Sequence, residues 1–313
     1  MTKDDPEQSA MTRSYATPLA FKQALEQRLK SSSSSGADFS RRRQLLVFDR
    51  FLARVCKTAG DAVVLKGGLV LELRLTRART TKDVDLRWMG SPDDILDSLQ
   101  AAGRLDLSDF MRFEVQPDPR HPAIQNEGMK YDGHRFRSEC RLAGKVYGRP
   151  FGVDVAFGDP LTGKPDLITS EDFLGFAGIE PPTLRLYPVV SHIAEKLHAY
   201  TMSRTRPNSR IKDLPDIALL ASVGAIPGRL LREALEKTFG FRATHPLPES
   251  VPEPPAFWND PYATMARDDQ LPWPSLAELT ETVSRFLDPV LLSGECGEWN
   301  PVTWHWTTPT TGS

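Results

Sequence analysis

Two short segments decide the fold of this chain: VLKGG at residues 64–68 and RTTKDVDL at residues 79–86. The first completes an apolar strand, predicted over 62–65, and ends on two glycines, after which a helical turn is predicted over 69–75. The second belongs to a run over 82–88 that alternates polar and apolar residues, which predicts a strand with one buried face. Strand, glycine turn, short helix and strand therefore follow one another directly.

The second of these strands carries two acids, Asp83 and Asp85. Residues two apart on a strand share a face and lie about 6.7 Å apart, so both carboxylates point one way while Val84 and Leu86 pack inward. Two acids so placed repel each other unless a cation lies between them, and a divalent metal is the usual answer. A strand of this kind is often only a solvated face. The alternative is a two-metal Mg²⁺ site that bridges an attacking oxygen and a leaving phosphate.

The glycine turn supplies a complementary part of the pattern. Backbone N–H groups at Gly67 and Gly68 can approach a phosphate without obstruction by a Cβ, and Lys66 adds a positive charge beside them. A Gly-Gly pair alone is usually just a turn. Combined with the Asp-x-Asp strand and the short helix between them, it indicates a site for a phosphate-bearing ligand.

A third carboxylate is expected from a neighbouring strand, and Asp154 in the segment FGVDVAF at 151–157 provides it. An acid in the middle of an apolar strand costs free energy unless it is paired or bound to metal. Asp154 is therefore predicted as the third metal ligand. Asp159, in the Gly-Asp-Pro sequence that follows, is interpreted as a turn residue.

The remaining chain predicts three regions. Residues 1–37 are a flexible N-terminal segment with a helix over 17–30, and 38–160 form a lobe with a helix over 38–58 and a mixed sheet. That sheet includes a strand over 111–116 and an antiparallel pair, 135–142 with 145–157. Residues 161–313 are mainly helical, beginning with a helix over 171–175 capped by Ser170 and ending in a tail rich in Pro and Trp. The fold class is α+β. Further helices are predicted over 189–202, 211–222, 228–239 and 275–287.

Composition and charge exclude several classes of protein. Lys plus Arg number 39 and Asp plus Glu 41 in 313 residues, so the net charge of −2 gives no global attraction to nucleic acid, and any basic site must be local. No window approaches the roughly 18 apolar residues of a membrane span. The three cysteines form no CxxC pair, which argues against a disulfide framework or a zinc site and favours a reducing cytoplasm. Motifs of P-loop NTPases and serine hydrolases are absent.

The order Gly-Gly, helix, Asp-x-Asp, late strand carboxylate resembles the nucleotidyltransferase core of the DNA polymerase β superfamily. More narrowly, the chain resembles the AbiEii/AbiGii toxin family and its mycobacterial MenT relatives, from about residue 40 to residue 290. Four segments carry the resemblance: LKGGLVLELR at 65–74, RTTKDVDL at 79–86, AEKLHA at 194–199 and NSRIKDLPDI at 208–217.

The resemblance implies a role for individual residues. Asp83 and Asp85 become metal ligands, and Lys196 neutralises charge on a triphosphate, for which a compact ammonium is well suited. From spacing alone, the favoured interpretation of Lys196 is an exposed residue of an amphipathic helix. The other implied residues are Asp213, which completes the site, Lys66 and Thr81 at the nucleotide, and Arg210 on a phosphate.

The expected function is that of an Mg²⁺-dependent nucleotidyltransferase, the toxin of a toxin–antitoxin or phage-defence system with a cognate antitoxin protein as partner. It would transfer NMP from an NTP to an acceptor hydroxyl, and relatives imply the 3′ end of tRNA. Alternatives are a small-molecule or protein acceptor, or a non-catalytic binding module. The basic residues considered for tRNA are Arg41, Arg42, Arg43, Arg204, Arg206, Arg210 and Lys212.

Two other patterns have simpler interpretations. Glu195 and His198 have the i, i+3 spacing of di-iron bundles, but the chain has no second Glu-x-x-His. His192 lies about 240° around the helix from His198, so a shared metal is not expected. The tryptophans of the C-terminal region are interpreted as packing of the Pro-rich tail, with base stacking as the alternative.

Overall fold

The computed structural model describes residues 15–75, 81–120, 122, 133–203, 210–292 and 296–308. Within these ranges the chain has the α+β fold predicted from sequence. The helices are α1 Pro18–Ser31, α2 Gly36–Ala59, α3 Gly67–Arg74, α4 Ile95–Arg104, α5 Val189–Thr201, α6 Asp213–Ala221, α7 Gly228–Arg242, α8 Asn259–Asp268 and α9 Leu276–Leu292. The strands are β1 Val63–Lys66, β2 Val84–Trp88, β3 Met111–Pro117, β4 Gly133–Leu142, β5 Lys145–Val146, β6 Phe151–Ala156, β7 Asp166–Thr169, β8 Thr183–Leu186, β9 Ile226–Pro227, β10 Glu298–Asn300 and β11 His305–Trp306.

The main sheet is mixed, as predicted. Its strands lie in the order β3-β4-β6-β2-β1-β8-β7, and β5 pairs with the end of β4. Strand β2 is antiparallel to β1 and parallel to β6, whereas β6 is antiparallel to β4. The two strands that carry the predicted metal ligands are therefore direct neighbours in the middle of the sheet.

One face of this sheet is covered by α1 and α2. The predicted apolar face of α2, which includes Leu46, Phe51 and Val55, is buried in the same core as the inward side chains of the strands. Ser35 caps α2 by accepting a hydrogen bond from the Asp38 N–H at 3.1 Å. The other face of the sheet carries polar side chains that point toward α5.

A second core is formed by α5 to α9 with the C-terminal strands. Trp258 and Trp299 are buried in it, and the indole of Trp299 donates a hydrogen bond to the Ala221 carbonyl at 2.9 Å. The packing interpretation is thus confirmed for these two tryptophans. None of the helices in the described ranges is long and apolar enough to cross a membrane.

The strand predicted over 145–157 is wrong as one continuous element. Its first part is β5, which pairs with the end of β4, and its second part is β6, which pairs with the earlier half of β4 and with β2. The chain turns between them at Gly148, whose φ of +72° suits glycine and places it against Val47 of α2. This turn brings Asp154 beside β2.

The region after residue 160 also differs from expectation. Strands β7 and β8, which the sequence did not predict, extend the main sheet. The helix over 171–175 does not form, because the Ser170 hydroxyl donates to Asp49 of α2 and the Asp172 carboxylate accepts from the Gly175 N–H instead. Helix α8 lies inside the Pro-rich stretch of residues 246–274. Most residues of the first core precede Leu186 or include it, and most residues of the second core lie from Val190 onward. The lobe boundary at residue 160 stays a prediction.

Candidate active site

Four charged residues form a row across the polar face of the sheet. Lys66 of β1 is the register partner of Asp85 of β2, Asp85 is the partner of Asp154 of β6, and Asp154 is the partner of Arg135 of β4. Side chains directly opposite one another in a sheet have Cβ atoms about 4.5–5.5 Å apart. The sheet register therefore brings two of the predicted metal ligands and the predicted nucleotide-site lysine together, with two acids between two cations.

Asp83 lies immediately before β2, on the same side as Asp85. Its Oδ1 accepts a hydrogen bond from the Gly152 N–H of β6 at 3.1 Å. A Cβ on Gly152 would lie 2.7 Å from that oxygen. Gly152 therefore makes room for the Asp83 carboxylate. This carboxylate is exposed, and its other oxygen is able to bind a cation.

Gly67 makes room for Asp85 in the same way. Its φ is +71°, and a Cβ on it would lie 1.9 Å from Asp85 Oδ2. Only glycine allows the Asp85 carboxylate to lie against the start of α3. Gly68 is buried in the first turn of that helix. The assignment of both glycines to phosphate binding stays a prediction. The contact with Asp85 independently explains why residue 67 is a glycine.

Asp85 lies close to other negatively charged groups. Burial and the neighbouring Asp154 raise the pKa of Asp85 to about 6, with Lys66 and Lys196 opposing the shift and Asp83 adding to it. Both lysines and both other acids are thus near enough to act on one carboxyl group. A bound cation would relieve this concentration of charge.

The donor chemistry at the row suits Mg²⁺, which prefers carboxylate oxygens. Asp83 and Asp85 present such oxygens on one face. Asp154 differs, since its two oxygens accept hydrogen bonds from Arg135 Nε at 2.7 Å and Nη2 at 2.6 Å. Among the described residues, no three His, Cys, Asp or Glu side chains form a ready-made metal cage. The first two acids therefore fit the ion, and Asp154 as third ligand stays a prediction.

Lys66 is held by a buried ionic network that sequence reasoning missed. Its Nζ contacts Asp159 Oδ2 and Glu195, each at 2.9 Å, and Arg242 Nη2 contacts Asp159 Oδ1 at 3.1 Å. Tyr187 donates its hydroxyl to Glu195 Oε1 at 2.8 Å. Asp159 is fully buried, so interpreting it as a mere turn residue was wrong. The local sequence Gly-Asp-Pro does not distinguish an aspartate that faces water from one that pairs with a buried lysine.

Lys196 of α5 lies between two acids of α6. Its Nζ is 3.0 Å from Asp213 Oδ1 and 2.7 Å from Asp216 Oδ2. Its side chain is only 14% exposed, which excludes the alternative of a solvated helix face. Arg210 Nη1 is 3.7 Å from the second oxygen of Asp213. Asp216 was missed, although its i, i+3 spacing from Asp213 places both on one helix face.

Thr81 fixes the approach of the chain to β2. Its hydroxyl donates to the Asp83 carbonyl at 3.2 Å, and its N–H donates to Glu72 Oε2 at 3.1 Å. The other oxygen of Glu72 accepts from Arg41 Nε at 2.8 Å. Thr81 is therefore adjacent to Asp83, and Arg41 is engaged with an acid of α3.

The other basic residues considered for tRNA fall into three groups. Arg42 forms an ion pair with Glu171, and Arg43 lies 3.9 Å from Glu26. Lys212 is exposed. Arg204 and Arg206 lie outside the described residues. The predicted role of this set stays a prediction.

The histidines of α5 have separate surroundings. His198 Nε2 is 2.8 Å from the Thr244 hydroxyl, and its ring lies 4.7 Å from that of His245. His192 is buried, and burial lowers its pKa well below the ordinary value, so its imidazole is neutral at pH 7. Glu195, between them in sequence, contacts Lys66 instead. These residues belong to the packing and ionic network around α5.

Paired carboxylates beside fixed lysines on a mixed sheet suit a ligand that carries phosphate charge. Residues 50–284 match the family described as nucleotidyl transferase AbiEii toxin, type IV toxin–antitoxin system, and the chain belongs to this family. It is therefore a nucleotidyltransferase toxin of a toxin–antitoxin system, as the resemblance implied. A comparison with curated proteins finds no match.

The solved structures that are similar to the chain include three bacterial proteins. The MenT4 nucleotidyltransferase toxin of Mycobacterium tuberculosis H37Rv is 19% identical, with a TM-score of 0.47 over 72% of this chain and 71% of that one. JHP933 of Helicobacter pylori is 14% identical, with a TM-score of 0.40 over 66% and 80%. Another H. pylori structure, described as a nucleotidyltransferase, is 14% identical, with a TM-score of 0.41 over 79% and 96%.

Replacing Asp159 by Asn is expected to destabilise the protein by about 3–5 kcal/mol, because Lys66 and Arg242 would lose a buried acid that compensates their charge. Urea unfolding measures the change. Glu171→Gln is the matched control, since its ion pair with Arg42 is partly exposed and is worth at most about 1 kcal/mol. Equal unfolding midpoints for the two variants would contradict the network.

Proposed function

We propose that this toxin transfers a nucleoside monophosphate from an Mg²⁺-bound NTP to the 3′ end of tRNA in the cytoplasm and is restrained by a cognate antitoxin protein. The observation that carries the proposal is the row of Lys66, Asp85, Asp154 and Arg135 in strand register. Acids flanked by cations on one sheet face suit a reaction in which phosphate charge must be held and moved.

Asp83 and Asp85 are the residues that would hold Mg²⁺, with Asp154 as the predicted third ligand. When bound, the metal supplies charge stabilisation to the phosphoryl oxygens. Lys196 is assigned to the triphosphate, and this assignment is supported by its two ion pairs with Asp213 and Asp216, which hold its ammonium in position. A charge held in position in advance costs no reorganisation during the reaction.

The group transfer balances as a single displacement. The 3′-hydroxyl oxygen of the acceptor forms a bond to the α-phosphorus and releases its proton to solvent, while the bond from the α-phosphorus to the β-phosphate oxygen breaks. Pyrophosphate leaves with that electron pair. Such transfers depend on positioning and charge stabilisation more than on covalent chemistry by the protein. Lys66, Thr81 and Arg210 are assigned to positioning the nucleotide.

The test uses purified protein with total tRNA, Mg²⁺ and each of the four NTPs labelled on either the α- or the γ-phosphate. The α-label is expected to enter RNA and the γ-label is not, since pyrophosphate is the leaving group. Asp83→Asn serves as the inactive control. Absence of α-label on RNA, from protein that still binds Mg-NTP, would contradict the tRNA acceptor. Label on an added aminoglycoside or on protein would favour the alternative acceptors.

A further inference from the structure

The row of charged residues has two different sides. On the β1 side, Lys66 contacts Glu195 of α5, so that helix with Lys196 lies over this part of the polar face. On the other side lies β4, whose polar face carries Arg135 and Arg137. The cations assigned to the triphosphate are therefore on the opposite side of the acids from β4.

Arg137 of β4 and Asp83 lie at the same level of the sheet, on either side of Gly152 of β6. It is the register partner of Gly152, and the N–H of Gly152 is bonded to Asp83 Oδ1. Neighbouring strands lie about 4.8 Å apart, so β4 is roughly 10 Å from β2, within reach of a long side chain. Because Gly152 has no side chain, nothing from β6 fills the space between the arginine and the acid.

The guanidinium of Arg137 is not paired with an acid in the described part of the protein. Arg135 is held by both oxygens of Asp154, and Arg141 pairs with Glu114 and Glu139. Arg137 is exposed, and none of the described residues forms a side-chain hydrogen bond or ion pair with it. On β4 it is thus the cation beside the site that is available to an anion.

In-line displacement places the attacking and leaving oxygens on opposite sides of the phosphorus. With pyrophosphate leaving toward Lys66 and Lys196, the attacking hydroxyl arrives from the β4 side. We propose that the polar face of β4 is the acceptor-binding surface, and that Arg137 binds a backbone phosphate of a nucleic-acid acceptor near its reactive end. This inference rests on the proposed nucleotidyl transfer.

The test compares Arg137→Ala, Arg137→Lys and a matched control, Arg112→Ala, in steady-state transfer to tRNA. Arg112 is an exposed arginine on the same face, on β3 opposite Arg141; it lies four residues along from the partner of Arg137, or about 14 Å. Arg137→Ala is expected to raise the KM for RNA about tenfold and to lower the slope of log affinity against log salt by about 0.7–1. The KM for NTP should not change. Arg137→Lys should keep most of the binding, because it keeps the charge.

The outcomes separate the two proposals. If the wild-type protein labels no RNA, the proposed function fails and the surface with it. If the wild-type protein labels RNA but Arg137→Ala matches Arg112→Ala in KM and salt slope, only the surface is overturned. A loss in Arg137→Lys as large as in Arg137→Ala, or a change in the KM for NTP, would also overturn it, because neither fits a phosphate contact through charge.

Discussion

Asp85→Asn is expected to lower the rate of nucleotidyl transfer by about a thousandfold or more while leaving the fold intact. If Asp85 holds Mg²⁺ as proposed, its charge is worth several kcal/mol in the transfer reaction, and each 1.36 kcal/mol is a factor of ten in rate. The amide has nearly the size of the carboxyl group, so the contact with Gly67 survives the change. Transfer of α-label to RNA measures the loss.

The same variant has an expected effect on stability. The pKa of Asp85 is raised from 3.8 to about 6 by burial and by Asp154, so its ionisation is less favourable in the folded protein than in the unfolded chain. This group therefore removes stability as the pH rises from about 4 to 6, by up to roughly 3 kcal/mol.

Without Mg²⁺ at pH 7, Asp85→Asn should be as stable as the wild-type protein or more stable. The difference should disappear below about pH 4, where the wild-type carboxyl is protonated in both states. Urea unfolding at several pH values measures it. An inactive variant that is also unfolded at pH 7 would contradict the expected separation of activity from stability.

Gly67→Ala is expected to have the second large effect, a loss of transfer of about a hundredfold or more. The new Cβ would lie 1.9 Å from Asp85 Oδ2, so the carboxylate must move out of the row. The φ of +71° adds backbone strain for any residue with a Cβ, roughly 1 kcal/mol or more. Transfer kinetics and unfolding free energy are measured on the same preparation.

Gly144→Ala is the matched control for Gly67→Ala. Gly144 has nearly the same φ, +73°, but a Cβ there meets no atom within 4 Å. It should show the stability loss from backbone strain and keep its activity. If both variants lose activity equally, or if neither does, the contact between Gly67 and Asp85 does not matter for transfer.

Much of the fold was predictable from local pattern. Asp83 and Asp85 were placed on one face because Val84 and Leu86 alternate with them, and both apolar residues are buried. The break at Gly148 was not predicted, since a glycine inside an alternating run also fits a continuous strand. Its necessity comes from packing against Val47, 101 positions earlier in the chain, which local pattern does not contain.

The candidate site shows the same division. Asp85 and Asp154 were identified by their strands, but their pairing depends on sheet order, which brings a late strand beside an early one. Gly152, Asp159 and Arg242 had no motif of their own. Each acts through contacts with residues far away in sequence: Gly152 contacts Asp83, and Asp159 contacts both Lys66 and Arg242. Such contacts follow from tertiary structure alone.

The most direct test of nucleotidyl transfer by this row of residues is the intact mass of tRNA after incubation with the protein, Mg²⁺ and NTPs. We expect tRNA to gain whole nucleotide masses at its 3′ end with the wild-type protein and to gain none with Asp85→Asn. Unchanged tRNA mass with active, NTP-binding protein, or equal additions by both proteins, would contradict it.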